Sequence, residues 1–252
     1  MPDALVILPT YNELANLERV VAGVRAAGFP VLVVDDASPD GTGALADSMA
    51  ARDAGVTVLH RPCKLGLGSA YVAGFRHGLE LGYGFLLEMD ADGSHPAEQI
   101  AALVEAARAS GGLALGSRYV AGGVIVGWSR RRQALSRGAN AYCRALLGRE
   151  VRDWTSGFRC YPRAVLEAVD FASVISDGYG FQIEMVARCL QAGFGVIEVP
   201  IRFEERQAGR SKVSEAEIRN AVSLVPRLRM ARRGRGVRPV LRRPDGFKST
   251  PD

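Results

Sequence analysis

Apolar residues in the first 120 positions follow two alternating rhythms. ALVILP (4–9), VLVVDD (31–36), VTVLHR (56–61), FLLEMD (85–90) and GLALGSRY (112–119) carry near-continuous runs of Val, Ile and Leu, the pattern of strands covered on both faces. Between them the spacing becomes helical. Leu14, Leu17, Val20, Val21 and Val24 recur on one side of a predicted helix, with Asn12 as its candidate N-cap. Further helices are predicted over 42–54, 69–81 and 97–109, and SPDG (38–41) reads as a turn. This alternation predicts an α/β fold with a mostly parallel central sheet and helices on both faces. Ligands of such sheets bind at the carboxyl ends of the strands. The polar groups TYNE, DD, DAD and SR fall at those ends.

The second half is less regular. Helices are expected over 130–147, 163–169 and 178–192, a strand over GVIEVP (195–200) and a polar loop over EERQAGRSK (204–212). Residues 213–232 read as an amphipathic helix with Ile218, Ala221, Val222, Val225 and Leu228 on one side, which Pro226 should kink or end. No repeat, low-complexity tract or linker interrupts the chain, so a single catalytic domain over 1–226 followed by a basic tail over 227–252 is expected.

Composition changes this picture in one respect. The chain has 252 residues, 48% of them hydrophobic and 23% charged, which excludes a disordered or fibrous class. Its net charge of +5 is unevenly placed: residues 1–226 carry −2 and residues 227–252 carry +7. Cys63, Cys143, Cys160 and Cys189 are scattered without metal spacing, which suits a reduced, cytoplasmic setting. MPDALVILP lacks the pattern of a signal peptide, and no apolar run is long enough for a transmembrane helix.

Asp90 and Asp92 flank a small alanine directly after a strand. Carboxylates at such spacing in a turn can approach one hard divalent cation, Mg²⁺ or Mn²⁺, with substrate phosphates completing the shell. Asp35 and Asp36 end a parallel strand, so four carboxylates are expected to converge on one edge. Arg118, Arg130–Arg132, Arg159, Arg206, Arg210 and Lys212 supply the matching cations, pointing to several phosphoryl groups in one cleft. Asp153 is a candidate for orienting an arginine, receiving a substrate hydroxyl or capping a turn. KLGLG (64–68) lacks the spacing of a nucleotide-binding glycine loop and reads as a tight strand–helix connection. His95 is expected to be structural, and Trp128 and Trp154 to pack or to line the cleft mouth.

PTYNE (9–13), VVDDASPDGT (33–42), KLGLGSAY (64–71), MDADGSHPAE (89–98), GSRYVAGG (116–123), DWTSGFRCY (153–161), FQIE (181–184) and ERQAGRSK (205–212) follow one another in order. This ordered set resembles the GT-A glycosyltransferases of family 2, and within them the dolichyl- and polyprenyl-phosphate mannose synthases, over roughly residues 4–225. The resemblance implies a GT-A fold and inverting transfer of mannose from GDP-mannose to a polyprenyl monophosphate. It implies that Pro9, Tyr11, Glu13, Asp36 and Lys64 contact the nucleotide, and that Asp90, Ala91 and Asp92 form the metal and diphosphate site. Ser94, the candidate third metal ligand, stands where the family often has Gln, and water would fill the gap its shorter side chain leaves. Arg118, Arg131, Arg206 and Lys212 match positions that meet phosphates, and Arg118, Arg131 and Asp153 join Asp92 as expected catalytic-site residues.

An ionised phosphate monoester, whose second pKa is about 6, needs positioning cations rather than a general base. The acceptor's tail stays in a bilayer, so a peripheral enzyme at the cytoplasmic membrane face is implied. The 213–232 stretch and the basic tail would dock on anionic lipid, or a membrane-embedded acyltransferase-like protein would act as partner. A UDP-sugar donor, such as UDP-glucose with undecaprenyl phosphate as acceptor, is the close alternative. A nucleotidyltransferase would want a glycine-rich N-terminal loop that residues 9–13 do not provide. Nucleic-acid binding through the tail is not expected; it would survive loss of Asp92 and fail on removal of the tail.

Overall fold

The computed structural model describes residues 3–174, 176, 178–205 and 215–233, with side chains described over 219–230 in the last stretch. Strands β1 (Ala4–Thr10), β2 (Val31–Asp35), β3 (Val56–His60), β4 (Phe85–Glu88), β5 (Leu113–Ser117), β7 (Arg159–Pro162) and β8 (Val196–Pro200) form one sheet in the order β3-β2-β1-β4-β7-β5-β8. All its pairings are parallel except those of β7, which runs antiparallel between β4 and β5. The fold is therefore α/β with a mostly parallel sheet, as the alternating pattern predicts. Two short strands, β6 (Val124–Val126) and β9 (Arg202–Glu204), pair separately.

The continuous apolar strands are explained by cover on both faces. In β1, Leu5 and Ile7 join a core with Tyr71, Phe75, Phe181 and Val186, while Ala4, Val6 and Leu8 face Leu17, Val21, Ile100 and Leu103 on the other side. Helices α3 (Leu67–Glu80), α5 (Arg130–Leu147), α7 (Tyr179–Gln191) and α8 (Glu215–Arg233) cover the first face. Helices α1 (Leu14–Ala26), α2 (Thr42–Ala50) and α4 (Ile100–Ser110) cover the second. A short α6 (Arg163–Ala168) follows β7.

Three local expectations change. Asn12 does not cap α1: Glu13 is the N-cap residue, and Asn12 sits at φ 56° with its N–H donated to Ser38 Oγ. Strand β7 starts at the end of DWTSGFRCY, where no strand is expected from the sequence. Its four residues are too few to show a period, and its pairing is long-range. Pro226 does not end α8, which runs on to Arg233. A proline cannot donate to the carbonyl four residues back, and the Val222 carbonyl accepts a bond from the Tyr142 hydroxyl at 3.1 Å instead.

KLGLG is a tight connection, as expected. Gly66 holds φ 94° at the start of α3, in the left-handed range that favours glycine. A Cβ at Gly68 would press on the Phe181 ring at 2.8 Å. All four cysteines are free, and three are buried.

Candidate active site

The carboxyl ends of β1, β2 and β4 open into a polar cavity of about 260 Å³. Pro9, Tyr11, Glu13, Asp36, Lys64, Asp90, Ala91 and Asp92 all line it, so the structure brings together each residue expected on the donor side. Their placement follows from the strands. Pro9 is the next-to-last residue of β1, Asp36 follows β2, and the Asp90–Asp92 turn follows β4 by one residue. The Lys64 ammonium lies 4.5 Å from the centroid of the Tyr11 ring, so an aromatic face and a cation form one wall. Asp36 accepts from the Arg61 guanidinium and from the Leu65 N–H at 3.0 Å, which couples β2 to the KLGLG turn.

Asp35 does not join them. Its carboxylate accepts from Thr10 Oγ1 at 2.9 Å and from the Ser38 hydroxyl and N–H, tying β1 to the loop after β2. Three of the four carboxylates expected on this edge therefore face the cavity. The fourth is turned away because adjacent strand residues point to opposite faces.

The Asp90–Asp92 turn is held from below. His95 Nδ1 accepts the Asp90 N–H at 3.1 Å, and its ring stacks on Phe158 at 5.1 Å. Burial lowers the imidazole pKa to about 4, opposed by the Asp92 carboxylate, so the ring is neutral near pH 7. Asp92 Oδ1 accepts the Ser94 N–H at 3.0 Å, and Asp90 Oδ1 lies 3.3 Å from the Tyr71 hydroxyl. The Ser94 Oγ is buried without a hydrogen-bond partner.

Asp90 and Asp92 line the cavity, and two hard carboxylates there fit a divalent cation; Ser94, the expected third ligand, has its hydroxyl buried without a partner but does not line the cavity. Among the described residues no group of three or more His, Cys, Asp or Glu side chains forms a metal cage. Such a site suits a cation that shares its shell with substrate phosphates.

Arg118 and Asp153 form one buried unit. Asp153 accepts from Arg118 Nε and Nη2, each at 2.7 Å, and from the Arg118 N–H at 3.0 Å; Nη2 also reaches Thr155 Oγ1 at 2.8 Å. Burial pushes the Asp153 carboxyl upward, but the adjacent guanidinium outweighs it and holds the carboxyl below its ordinary value. Asp153 thus holds the Arg118 guanidinium in one orientation. Arg118 lines a second, mainly apolar cavity that adjoins the first.

The other arginines separate. Arg131 is exposed at the start of α5 and lines neither cavity, whereas Arg132 lines the second one, 4.2 Å over the Trp128 ring and paired with Glu205 at 2.8 Å. Arg159 is fully buried and donates to the carbonyls of Trp154, Ser156 and Gln182, so it does not reach the cleft as expected. Its place on β7 turns it into the core. Arg206, Arg210 and Lys212 lie outside the described residues. Trp154 is core, and Trp128 lines the second cavity.

Sequence reasoning missed Thr155, Gly157, Tyr179 and Gln182, all of which line the polar cavity. Gln182 is 3% exposed. It faces Glu88, whose carboxyl is buried and raised to about 7 by desolvation, against the opposing charge of Arg159 and weaker hydrogen bonding from Tyr161 and Gln182. The signal for Gln182 was available: a polar residue between Phe181 and Ile183 on an otherwise apolar helix face.

The profile of Glycosyl transferase family 2 matches residues 5–170. The chain is 52% identical over 221 residues to the polyprenol monophosphomannose synthase of Mycolicibacterium smegmatis, covering 86% of this chain and 83% of that one. It is 48% identical over 236 residues to the undecaprenyl-phosphate mannosyltransferase of Micrococcus luteus, covering 93% and 97%. Among solved structures, the mannosyltransferase PcManGT of Pyrobaculum calidifontis, in complex with GDP-Man and Mn²⁺, is similar with a TM-score of 0.56 at 18% identity, over 92% of this chain and 71% of that one. The Mycobacterium tuberculosis glucosyl-3-phosphoglycerate synthase, with Mn²⁺, UDP-glucose and phosphoglyceric acid, gives 0.63 at 21% identity, over 92% and 79%. At these identities the two structures speak for the fold.

Proposed function

The chain belongs to Glycosyl transferase family 2, and we propose that it transfers mannose from GDP-mannose to a polyprenyl monophosphate with inversion, giving β-linked polyprenyl phosphate mannose. The observation that carries this reading is the gathering of Tyr11, Glu13, Asp36, Lys64, Asp90 and Asp92 around one cavity at the strand ends. Relatives about half identical to the chain bear mannosyltransferase names with prenyl phosphates as substrates.

Tyr11, Glu13, Asp36 and Lys64 hold the nucleotide, and Asp90 and Asp92, with Ser94 as the candidate third ligand, would hold Mg²⁺ or Mn²⁺ against the diphosphate. Bound there, the cation neutralises charge on the departing diphosphate. The bond from the anomeric carbon to the GDP oxygen breaks, GDP leaves with the electron pair, and an acceptor phosphate oxygen forms the new bond from the opposite face. The acceptor is already ionised near neutral pH, since its second pKa is about 6, so no base is required. His95, neutral and turned to the Asp90 backbone, keeps the turn in shape and takes no proton. Arg118, aimed by Asp153, holds the acceptor phosphate, with Arg131, Arg206 and Lys212 as further phosphate ligands. Gln182 offers both a donor and an acceptor to hydroxyls of the transferred sugar.

Residues 1–226 form the catalytic domain in this reading, and 227–252 a basic tail. No helix among the described residues is long and apolar enough to cross a membrane. The chain then works peripherally at the cytoplasmic membrane face, through α8 and the tail or through a membrane-embedded acyltransferase-like partner. Co-sedimentation with anionic but not neutral vesicles is the expected outcome for direct docking; equal binding to both rejects it.

The donor is tested by offering the purified chain GDP-mannose or UDP-glucose with undecaprenyl phosphate and Mg²⁺ or Mn²⁺. Glycolipid forms from GDP-mannose. Formation from UDP-glucose alone replaces this reading with the UDP-sugar one.

A further inference from the structure

Asp153 and Thr155, which grip Arg118, sit on the segment between α5 and β7. The N–H groups of residues 152–154 have no ladder or helix to bond, so side chains must satisfy them. Two side chains do. Glu198 of β8 accepts the Arg152 N–H at 2.8 Å through Oε2 and the Asp153 N–H at 2.9 Å through Oε1. Asn140 of α5 is buried and accepts the Trp154 N–H at 2.7 Å. Its Nδ2 donates to Thr155 Oγ1 at 3.2 Å and to the Ser136 carbonyl at 3.0 Å. The Arg159 guanidinium donates to the carbonyls of Trp154 and Ser156, so the same short segment is held at its acceptors as well.

This grip leaves Arg118 one direction in which to act. Thr155 Oγ1 meets Arg118 Nη2 at 2.8 Å and Asn140 Nδ2 at 3.2 Å, and both of those nitrogens only donate. The hydroxyl's own proton therefore goes to Asp153 Oδ1, 3.3 Å away. Asp153 Oδ1 also accepts from Arg118 Nη2, and Oδ2 accepts from Arg118 Nε and from the Arg118 backbone N–H, which fills the carboxylate. Of the guanidinium's donors, the N–H on Nε and both on Nη2 are committed to Asp153 and Thr155. The pair on Nη1 takes part in none of these bonds, and Arg118 lines the apolar groove between α5 and α8 that forms the second cavity.

We propose that Glu198 and Asn140 are positioning residues for the transfer: they fix residues 152–155 so that Asp153 and Thr155 bind one edge of the Arg118 guanidinium and leave Nη1 to an oxygen of the acceptor phosphate. This rests on the reading of Arg118 as a ligand of that phosphate and adds which residues aim it. Glu198 and Asn140 line neither the polar cavity nor the groove, so they act through the loop and not on substrate. Their contribution is preorganisation: a guanidinium already fixed in direction meets the incoming anion without first losing rotamer freedom. The donor residues stand at the ends of β1, β2 and β4, on other elements. The effect should therefore fall on the acceptor and spare GDP-mannose.

Glu198→Gln and Asn140→Ala are the test variants, made in the full-length chain. A carboxamide at 198 keeps one acceptor and turns an NH₂ group toward the second loop N–H, donor against donor. Asn140→Ala strips the Trp154 N–H and the Thr155 hydroxyl of this partner. Folding is checked by circular dichroism, and initial rates are measured against GDP-mannose and against geranyl phosphate. Each variant should raise KM for geranyl phosphate by about tenfold, the order of loss when an aligned group is displaced by less than an ångström. KM for GDP-mannose should stay unchanged. Should Asn140→Ala not fold, Glu198→Gln, at a half-buried position, carries the test. In the Arg118→Ala/Asp153→Asn background, adding Glu198→Gln should leave kcat/KM for geranyl phosphate where it was, because the group it aims is gone.

A rise in KM for both substrates, a fall in kcat alone, or unchanged kinetics would overturn the positioning role while leaving mannosyl transfer intact. A further loss on adding Glu198→Gln to Arg118→Ala/Asp153→Asn would overturn it too, since the effect would not pass through Arg118. Failure of the unsubstituted chain to mannosylate any prenyl phosphate defeats the functional reading itself, a separate result.

Discussion

The polar cavity and the apolar groove share Thr155 and Tyr179 yet are built in different ways. On the polar side, Pro9, Asp36, Asp90 and Asp92 lie at or just beyond the ends of parallel strands, and neighbouring groups restrain them. His95 holds the Asp90 N–H, Ser94 meets Asp92, and Arg61 meets Asp36. On the apolar side most of the lining comes from α5 and α8, with Tyr179 and Ile183 of α7 between them, and Tyr142 and Val222, separated by 80 residues, are joined by one hydrogen bond. The first arrangement presets charge for a small, highly charged donor. The second offers apolar area and few fixed directional contacts.

The largest effect that probes this difference is expected at Asp92. Asp92→Ala should lower turnover by about a thousandfold or more with every acceptor, because it removes a ligand of the charge-neutralising site. Its melting temperature should stay close to that of the parent. A loss that appears with prenyl but not with methyl phosphate would place Asp92 on the acceptor side and break the division.

Arg118→Ala comes next and should register in stability as well as rate. It strands the Asp153 carboxylate in a buried site, which costs about 3–5 kcal/mol. Chemical denaturation should show that loss, and Asp153→Asn in the same background should recover part of it. If Arg118→Ala unfolds at the parent's denaturant midpoint, the buried pair is not the unit described here.

Gln182→Met addresses the polar region, whose cavity Gln182 lines. Discrimination between GDP-mannose and GDP-glucose, read as the ratio of kcat/KM, should fall by about ten- to a hundredfold, with acceptor KM unchanged. A rise in acceptor KM alone would move Gln182 to the Arg118 side.

How much of this could be read in advance follows the same division. The parallel strands and the donor residues were legible because local apolar runs end in polar groups, and α/β topology brings consecutive ends together. Asp35 misled because its type and position match those of Asp36, and only the alternation at the strand end separates them. Arg159 misled for a related reason: nothing local in DWTSGFR shows that β7 inserts antiparallel into the sheet and turns its arginine into the core. The groove was the least legible. Ala221, Val222 and Val225 mark an apolar helix face, but a pattern cannot say that α5 lies opposite or that the space between stays open. Arg131 and Arg132 are adjacent in sequence, and it is helix geometry that sends Arg132 to the groove.

The smallest expected effect tests the buried side of the polar region. Burial raises the Glu88 carboxyl to about 7 from 4.5. A raised folded pKa contributes stability that is complete below pH 4.5 and lost as pH rises through 7. His95, with its lowered pKa of about 4, works oppositely: its contribution is complete above 6.5 and is lost as pH falls. Between pH 6.5 and about pH 8 the Glu88 term therefore acts alone. Unfolding free energy should fall there by on the order of 1 kcal/mol, and Glu88→Gln should flatten the slope. An unchanged slope in that variant would show that Glu88 is not the titrating group.

Anomeric configuration of the product tests the assignment most directly. The purified full-length chain would be incubated with GDP-mannose, undecaprenyl phosphate and Mg²⁺ or Mn²⁺, and the glycolipid examined by NMR, with a parallel reaction containing EDTA. The expected product is β-linked mannosyl phosphate lipid, absent when the cation is chelated. An α-linked product, or undiminished β-linked product in EDTA, would contradict a direct displacement assisted at Asp90 and Asp92.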